Sequence, residues 1–262
     1  MAMSTPGSVR VAFWHATAFR RFWVSNILAS FVQPLLYLLG LGVAVGALVD
    51  RTPTSDAVLG GVTYVAYIAP GLMVTTAMAV ASAESLWPIM NNFVWSKGYL
   101  GVAATPLGAA DIVGGHALWM TARSAVTSAS VATVLALFPA ARSWGLIPAI
   151  GAAALTGLAF AMPLMAFATT RKIDNGFAAM QRFVIVPLFL FGGAFYPISQ
   201  LPGWTQAIIK LLPLWHGIEL ARGFTLGDTD VSTSLQHVAV ISVWIIGGTI
   251  LSYHYVRRRL YV

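Results

Sequence analysis

The chain has 262 residues, of which 58% are hydrophobic and 9% are charged, and its mean hydropathy is +0.79. Ordinary globular proteins carry about 25% charged residues, so this composition excludes a soluble globular domain and predicts a polytopic membrane protein. The net charge of +7 does not indicate nucleic-acid binding, because the lysines and arginines stand at the ends of apolar runs and form no basic stripe. The absence of cysteine excludes disulfides, thiolate metal sites and cysteine nucleophiles.

The first predicted element is a short amphipathic helix over residues 9–21. Apolar side chains recur along it at helical spacing, and basic side chains stand among them. This pattern predicts a helix that lies in the membrane interface, with Trp14 at headgroup depth and with Arg20 and Arg21 facing anionic lipid. A disordered tail that becomes helical only at Phe22 is the alternative. No cleavable signal peptide is apparent, since the first apolar run is too long for a signal-peptide core.

Long apolar runs predict six membrane-spanning helices. A hydrocarbon core of about 30 Å needs about 20 helical residues. The predicted spans cover residues 22–49, 61–83, 109–138, 146–169, 177–195 and 237–256. Pro34 predicts a kink in the first span because it removes a helix hydrogen bond. The four-residue spacing of Gly42 and Gly46 in the same span indicates close packing against another helix.

Residues 84–107 interrupt the apolar pattern between the second and third spans. Charged, amide, proline and glycine residues are concentrated there. We expect a surface helix in this segment, with Trp95 and Tyr99 facing inward and Lys97 facing outward.

The third predicted span contains an arginine about fourteen residues from its start. Arg123 lies too deep to reach the membrane interface easily, so we expect it to face the bundle interior, a cavity or a partner. We expect Arg123 to contact a polar path or to pair with an acid such as Glu219. A buried stabilising pair without a role in transport is the alternative.

Residues 197–228, between the fifth and sixth spans, hold two short apolar pieces. The pieces are separated from their surroundings by Pro202-Gly203 and by Pro213. A helix of about ten residues is about 15 Å long and cannot cross a hydrocarbon core of about 30 Å. The pieces therefore either enter the membrane and return as a re-entrant hairpin, or lie at its surface. An ordinary proline-rich extracytoplasmic loop is the alternative.

The distribution of basic residues predicts the orientation of the chain. With the N-terminus inside, the inner segments hold nine lysines and arginines and the outer segments hold four. This excess favours cytoplasmic termini, because inner loops of membrane proteins are enriched in lysine and arginine. The same orientation places residues 84–107 inside and residues 197–228 outside.

The sequence shows no pattern typical of a catalytic site. The five histidines are scattered, the carboxylates are not clustered, and no serine nucleophile elbow occurs. His216 is better explained as an interfacial histidine that bonds to the backbone than as a catalytic group. The chain also lacks the glycine-rich segment ending in Gly-Lys-Ser/Thr that binds nucleotide phosphates. An ATPase that drives this protein would therefore be another polypeptide.

Several stretches resemble the membrane subunits of type-2 ATP-binding-cassette exporters, in the same order along nearly the whole chain. The re-entrant hairpin of those subunits is matched by Phe195-Tyr196-Pro197, Leu201-Pro202, Pro213-Leu214 and Arg222. The lipo-oligosaccharide (nodulation-factor) export branch is matched by the stretches 34–42, 61–64 and 69–72. Its cytoplasmic coupling loop is matched by Glu84, Trp95-Ser96-Lys97-Gly98-Tyr99 and Ala104-Thr105-Pro106-Leu107. Leu100-Gly101 departs from this loop pattern, because many members carry an acidic residue just after the tyrosine.

The resemblance implies one all-α permease domain over residues 1–262 of the cell (inner or plasma) membrane, with an interfacial helix at 9–21, a coupling loop at 84–107 and a re-entrant segment at 197–228. It implies that residues of the coupling loop contact a separate ATPase: Glu84, Trp95, Lys97, Tyr99, Thr105 and Pro106. The candidate pathway or exit residues are Arg123, Phe195, Tyr196, Trp204, Trp215, Glu219 and Arg222. An aromatic belt at the outer interface is the alternative explanation of the aromatic members of this set.

The resemblance also implies the partners of the chain. ATP and magnesium would bind the ATPase subunit, this chain would hold no cofactor, and a second copy or a related permease would complete the pathway, since six helices make half of it. The implied cargo is a lipo-oligosaccharide, a glycolipid or another amphipathic molecule. Drug efflux within the same superfamily is the nearest alternative, and a secondary transporter and an intramembrane enzyme are alternatives of other classes.

Overall fold

The computed structural model describes residues 5–21, 23–53 and 55–261, which form helices joined by turns, and no β-strand occurs within these ranges. The helices are α1 (Gly7–Phe19), α2 (Trp23–Tyr37, continued by the π-helical Leu38–Val45 and by Gly46–Val49), α3 (Ser55–Leu59), α4 (Tyr64–Met90, continued by the π-helical Asn91–Trp95), α5 (Gly98–Ala103), α6 (Ala109–Ala136), α7 (Leu146–Thr170), α8 (Asn175–Met180, continued by the π-helical Gln181–Ile185 and by Val186–Phe191), α9 (Gly203–Leu211), α10 (Pro213–Leu226) and α11 (Val231–Tyr261). The predicted all-α class is confirmed. Phe22, the predicted start of the first span, lies outside the described residues.

Helix α7 is the central helix of the bundle and packs against α4, α6, α10 and α11. Small residues permit these contacts. A Cβ added to Gly217 of α10 would overlap Thr156 of α7, and one added to Gly248 of α11 would overlap Pro163. Helices in a membrane gain little from the hydrophobic effect when they associate, so close backbone approach and van der Waals contact hold such bundles together.

Helix α4 is the most deeply buried helix of the bundle over its first half. Every residue from Tyr67 to Met78 is buried, as expected for a helix that is apolar on all sides. Gly42 and Gly46 of α2 face this helix, where an added Cβ would lie 3.4 Å from Val65 and 3.5 Å from Tyr64, respectively. The glycine pair thus packs against another helix as predicted, at a distance that would also admit alanine.

Helical segments long and apolar enough to cross a membrane are found at Ser30–Val49, Ser55–Trp95, Leu146–Thr170 and Val231–Tyr261. Helix α6 has 28 residues and is therefore about 42 Å long, but it holds no stretch of 18 residues as apolar as those in the four segments. The apolar helix Asn175–Phe191 is shorter. The length and composition of the described helices therefore match four of the six predicted spans directly.

The second predicted span extends further than its apolar pattern indicates. We expected it to end near Ala83, but α4 continues to Met90 and, as a π-helix, to Trp95. Glu84 therefore lies on a long helix and not in a loop. The polar residues that resembled the start of a loop are accommodated because the Glu84 carboxylate has a partner on a neighbouring helix.

The two pieces of the 197–228 segment are helices with the predicted breaks. Helix α9 follows Pro202, and α10 begins at Pro213, where a proline costs no helix hydrogen bond. Their 9 and 14 residues correspond to about 14 and 21 Å, so neither is long enough to cross a membrane alone. Helix α10 packs against α4 and α7 inside the bundle, and it ends at Gly227 in the left-handed conformation that favours glycine.

Candidate functional site

A buried ion pair joins the C-terminal half of α4 to the middle of α6. Arg123 Nε donates to Glu84 Oε1 at 2.8 Å, and the two side chains are 3% and 22% exposed, respectively. Trp119 Nε1 donates to the other carboxylate oxygen at 3.2 Å, and Arg123 Nη1 donates to Thr127 Oγ1 at 2.6 Å. Both oxygens of the carboxylate thus accept hydrogen bonds. Such partners are needed because a buried charge without them would strongly destabilise the fold.

Arg123 pairs with an acid, as expected, but that acid is Glu84 and not Glu219. Glu219 instead pairs with Arg222, three residues later on α10. The sequence does not indicate Glu84 as the partner of Arg123, because the polar stretch that begins at Glu84 resembles a loop. Arg222 contacts Tyr67, which precedes Glu84 on α4 by 17 residues, or about 25 Å along the helix. The two arginines therefore belong to separate polar clusters.

Helix α1 packs onto the ion pair through one face that bears Val11, His15 and Phe19. Val11 is 2% exposed. The ring of Phe19 lies 4.7 Å from Cζ of Arg123, a cation–π contact. The His15 ring stacks on Trp119 with a centroid separation of 6.4 Å. The N-terminal helix is thus attached to α6 by aromatic and cationic contacts.

The same face of α1 contacts α5 through Tyr99. This tyrosine is fully buried, and its hydroxyl lies 3.4 Å from His15 Nε2. Its ring meets those of Trp14 and Phe93 edge-on, at centroid distances of 5.8 and 5.0 Å. Burial lowers the pKa of His15 to about 4 and raises the pKa of Tyr99. Both side chains are therefore neutral at pH 7, and their contact carries no net charge.

A glycine at the start of α5 makes room for this contact. A Cβ added to Gly98 would lie 3.0 Å from the ring of Trp14 and 3.0 Å from Oδ1 of Asn92. The preceding Lys97 has a φ of 54° in the left-handed region, where the chain turns from the π-helical end of α4 into α5. The turn directs Lys97 outward and Tyr99 inward.

The predicted coupling residues between positions 95 and 106 differ in exposure, since one is buried and the others are exposed. Tyr99 is buried and Lys97 is exposed, as expected. Trp95, expected to face inward, is 57% exposed, because the π-helical turn that it ends carries more residues per turn and rotates it away from the core. Thr105 and Pro106 are exposed in the turn before α6.

The N-terminal helix differs in detail from its predicted pattern. It spans Gly7–Phe19, and its basic residues Arg20 and Arg21 are exposed at its end. Ala18 is exposed, and Trp14 is 36% exposed and covers Tyr99. A cavity of about 320 Å³ remains between α1, α4 and α6. Its lining includes His15, Phe19, Glu84 and Trp119.

Sequence reasoning missed several polar members of this cluster. His116 Nε2 lies 3.0 Å from Ser85 Oγ, and its ring lies 5.8 Å from that of His15. The available signal was the spacing of His116, Trp119 and Arg123 on α6, which places all three on one face of a helix. We refer to the set formed by Trp14, His15, Phe19, Glu84, Tyr99, His116, Trp119 and Arg123 as the α1 cluster.

The second polar cluster surrounds Arg222 on α10. Arg222 Nη2 donates to the carbonyl oxygen of Gly193 at 2.9 Å, and its Cζ lies 3.9 Å from the centre of the Tyr67 ring. Gly193 has a φ of 93°, which a residue with a side chain rarely adopts. Together with the Glu219 pair, these contacts attach α10 to α4 and to the segment that follows α8.

The predicted exit residues are brought together only in part. Trp215, Glu219 and Arg222 line one cavity of about 480 Å³, together with Tyr67 and Pro197. Phe195 is 7% exposed in the core, Tyr196 is half-buried, and Trp204 is 71% exposed on α9; these three are absent from the cavity lining, and Arg123 belongs to the α1 cluster. The structure thus assembles a smaller candidate site than the sequence indicated.

A histidine pair lies beside this cavity. His216 Nε2 lies 2.8 Å from the carbonyl oxygen of Lys210, so it donates a hydrogen bond there, as we expected of a histidine that bonds to the backbone. His216 Nδ1 lies 2.8 Å from His237 Nδ1. If His216 is neutral, its Nδ1 accepts and His237 donates. Within the described residues, no group of three or more histidine, aspartate or glutamate side chains is arranged to hold a metal ion.

Comparison with known proteins gives consistent matches. The family model described as "ABC-2 type transporter" matches residues 11–226. The chain is 32% identical over 252 residues to nodulation protein J of Rhizobium leguminosarum bv. trifolii, an alignment that covers 95% of this chain and 93% of that protein. It is 30% identical to nodulation protein J of Rhizobium leguminosarum bv. viciae over 95% of this chain and 94% of that protein. It is 22% identical to the inner membrane transport permease YadH of Escherichia coli (strain K12), over 92% and 90% of the two chains.

Proposed function

This chain belongs to the ABC-2 type transporter family as a multi-pass transmembrane subunit of an exporter, and we propose that it moves a lipo-oligosaccharide or a related amphipathic glycolipid outward. The similarity to nodulation proteins J over 93% of their length carries the cargo proposal. The family implies a membrane and an ATP-binding partner subunit.

We propose that the partner is a separate ATPase polypeptide that binds ATP and magnesium, and that this chain supplies no cofactor site of its own. A second copy of the chain, or a related permease, completes the translocation path. The absence from the sequence of a glycine-rich phosphate-binding segment supports this division of labour.

We propose a topology of six spans with both termini in the cytoplasm. Nine basic residues in the inner segments against four in the outer segments support it. In this topology, α6 and the helix Asn175–Phe191 cross the membrane in addition to the four apolar segments. Helices α9 and α10, each too short to cross the membrane, form a re-entrant hairpin from the outer side.

The α1 cluster provides a route for coupling in this proposal. The ATPase contacts the exposed side chains of the 84–107 segment, among them Trp95, Lys97 and Thr105. Tyr99 of the same segment contacts His15 on α1, and α1 in turn contacts α6. A displacement of α5 is thereby transmitted to a membrane-crossing helix by direct side-chain contact. ATP binds the closed arrangement of the ATPase more tightly than the open one, and this difference in affinity shifts the conformational equilibrium toward the closed arrangement.

We propose that the cavity near Arg222 belongs to the outer end of the path. Trp215 and Tyr67 present aromatic faces there, and Glu219 and Arg222 present polar groups. Such a combination suits a molecule that has both sugar and apolar parts.

A reconstitution experiment tests the proposal. The chain and the ATPase encoded by a neighbouring gene are placed in proteoliposomes, and ATP hydrolysis is measured with lipo-oligosaccharides or lipophilic drugs. We expect lipo-oligosaccharides to stimulate hydrolysis and Tyr99→Ala to abolish the stimulation in a protein of normal abundance. Stimulation by drugs alone would replace the cargo proposal with drug efflux, and failure to associate with any ATPase would contradict the proposal as a whole.

A further inference from the structure

A basic cavity lies between the C-terminal ends of α7 and α11. It has a volume of about 620 Å³ and is lined by Thr169, Thr170, Lys172, Tyr255, Arg258 and Arg259. The residues 169–180 and 250–261 that surround it contain five lysines and arginines and a single acidic residue, Asp174. The cavity therefore lies in a strongly positive region.

One of the lining arginines is engaged in holding the two helix ends together. Arg259 Nη1 donates to the carbonyl oxygens of Thr169 and Arg171, at 2.5 and 2.8 Å, and Cζ of Arg259 lies 4.7 Å from the ring centre of Phe93. These are carbonyls that the end of α7 leaves without helix partners. Arg259 thus satisfies them and offsets the negative end of the helix dipole, which would otherwise oppose an anion.

The other two cations of the cavity remain available to a ligand. Lys172 and Arg258 are exposed, and neither forms an ion pair within the residues that the structure describes. They lie on different helix ends that border the same cavity. Two cations around one cavity are suited to a phosphate group, which accepts several hydrogen bonds and carries negative charge.

The surroundings of the cavity match the surface of a bilayer. Ile173, next to Lys172, is 61% exposed, and Tyr255 on α11 lines the cavity itself. Exposed aliphatic and tyrosine side chains next to basic ones are typical of the zone where headgroups meet acyl chains. A ligand there meets phosphate-binding groups and apolar surface together.

We propose that this cavity binds the headgroup phosphate of an anionic phospholipid, with Lys172 and Arg258 as its charged contacts. Basic pockets between membrane helices at the cytoplasmic surface are suited to such headgroups. The cytoplasmic location rests on the orientation given under the proposed function, whereas the binding chemistry does not. The bound lipid links the ends of α7 and α11 from the outside, next to the point where Arg259 links them from within.

The test measures lipid binding by the purified permease alone, so it requires neither ATPase nor cargo and is independent of the proposed function. Native mass spectrometry and thermal unfolding are recorded during titration with phosphatidylglycerol, cardiolipin or phosphatidylcholine. We expect the anionic lipids to bind and to raise the unfolding midpoint, with at least tenfold weaker binding in Lys172→Gln/Arg258→Gln. Lys172→Arg/Arg258→Lys retains both charges and should retain binding.

Arg257→Gln is the matched control, because Arg257 is an exposed neighbour that does not line the cavity. Equal binding of phosphatidylcholine, or equal losses in the control and the double variant, would overturn the proposal. Equal protection by inorganic phosphate would show a site for free anions, which also overturns it. Loss of ATPase association in the double variant, with lipid binding unchanged, would assign the surface to the ATPase instead. If the double variant does not fold, Lys172→Gln and Arg258→Gln singly must each weaken anionic-lipid binding.

Discussion

Removal of the Glu84 carboxylate should take away the anionic partner of the buried Arg123 guanidinium. The Arg123 side chain is 3% exposed, so solvent cannot replace the lost partner. Breaking one side of a buried ion pair typically costs about 3–5 kcal/mol. Glutamine has one acceptor oxygen where the carboxylate has two, so either Trp119 or Arg123 would also lose its hydrogen-bond acceptor, at a further cost of about 1 kcal/mol. Thr127 and the Phe19 ring remain as contacts of the guanidinium. We therefore expect Glu84→Gln to be strongly destabilising.

The ion-pair interpretation predicts that a second substitution reverses part of this loss. Arg123→Met removes the buried positive charge. The double variant Glu84→Gln/Arg123→Met should therefore lose less unfolding free energy than the summed losses of the two single variants, by about 1–3 kcal/mol. The assay is the thermal unfolding midpoint of the purified permease, which is determined from the fraction of protein that stays monodisperse after heating. Asp174→Asn removes an exposed carboxylate instead and should change stability by no more than about 0.5 kcal/mol. Additive effects of the two single substitutions would refute the reasoning.

Three further predictions follow from the α1 cluster and the Arg222 cluster. Burial lowers the pKa of His15 from its ordinary value of 6.5 to about 4, so the unfolded chain binds more protons than the folded chain between these values, and the stability of the fold should decrease as the pH drops from about 6.5 toward 4. In a series of thermal-unfolding measurements at different pH, His15→Gln should make stability depend less on pH. An unchanged pH dependence would contradict this prediction. Gly98→Ala should lower ATPase association by displacing Trp14, whereas Gly101→Ala, with no atom within 4 Å of the added Cβ, should not; equal effects would exclude the steric explanation. Arg222→Met should lower the thermal midpoint less than Glu84→Gln does, because the Glu219 carboxylate that it leaves is 31% exposed; an equal or larger loss would be inconsistent with this.

Much of the fold follows from apolar runs and from proline and glycine positions. The breaks at Pro202 and Pro213, and the packing of the pair Gly42 and Gly46, appear in the structure as predicted. These features are local, since a proline or a glycine acts on the backbone beside it. Local rules therefore located most helices without knowledge of their neighbours.

The partners of charged residues were less predictable, because pairing depends on how helices pack. A polar stretch beginning at Glu84 resembles a loop in sequence, yet Arg123 on α6 neutralises it and the helix continues. Because the sequence does not show how the helices pack, it indicated neither Glu84 as the partner of Arg123 nor the contacts of His15 with Tyr99 and Trp119. The predicted inward orientation of Trp95 is wrong for a different reason, since a π-helical turn changes the face of the helix on which a residue lies.

The central claim is that ATP hydrolysis by a partner subunit drives an amphipathic glycolipid through a path that this chain forms. The most direct measurement is uptake of a labelled lipo-oligosaccharide into inside-out proteoliposomes that contain the chain and its ATPase. We predict uptake that requires hydrolysable ATP and is abolished when the phosphate-binding lysine of the ATPase is replaced. Uptake that persists without the ATPase, or that a proton gradient drives without ATP, would contradict the account.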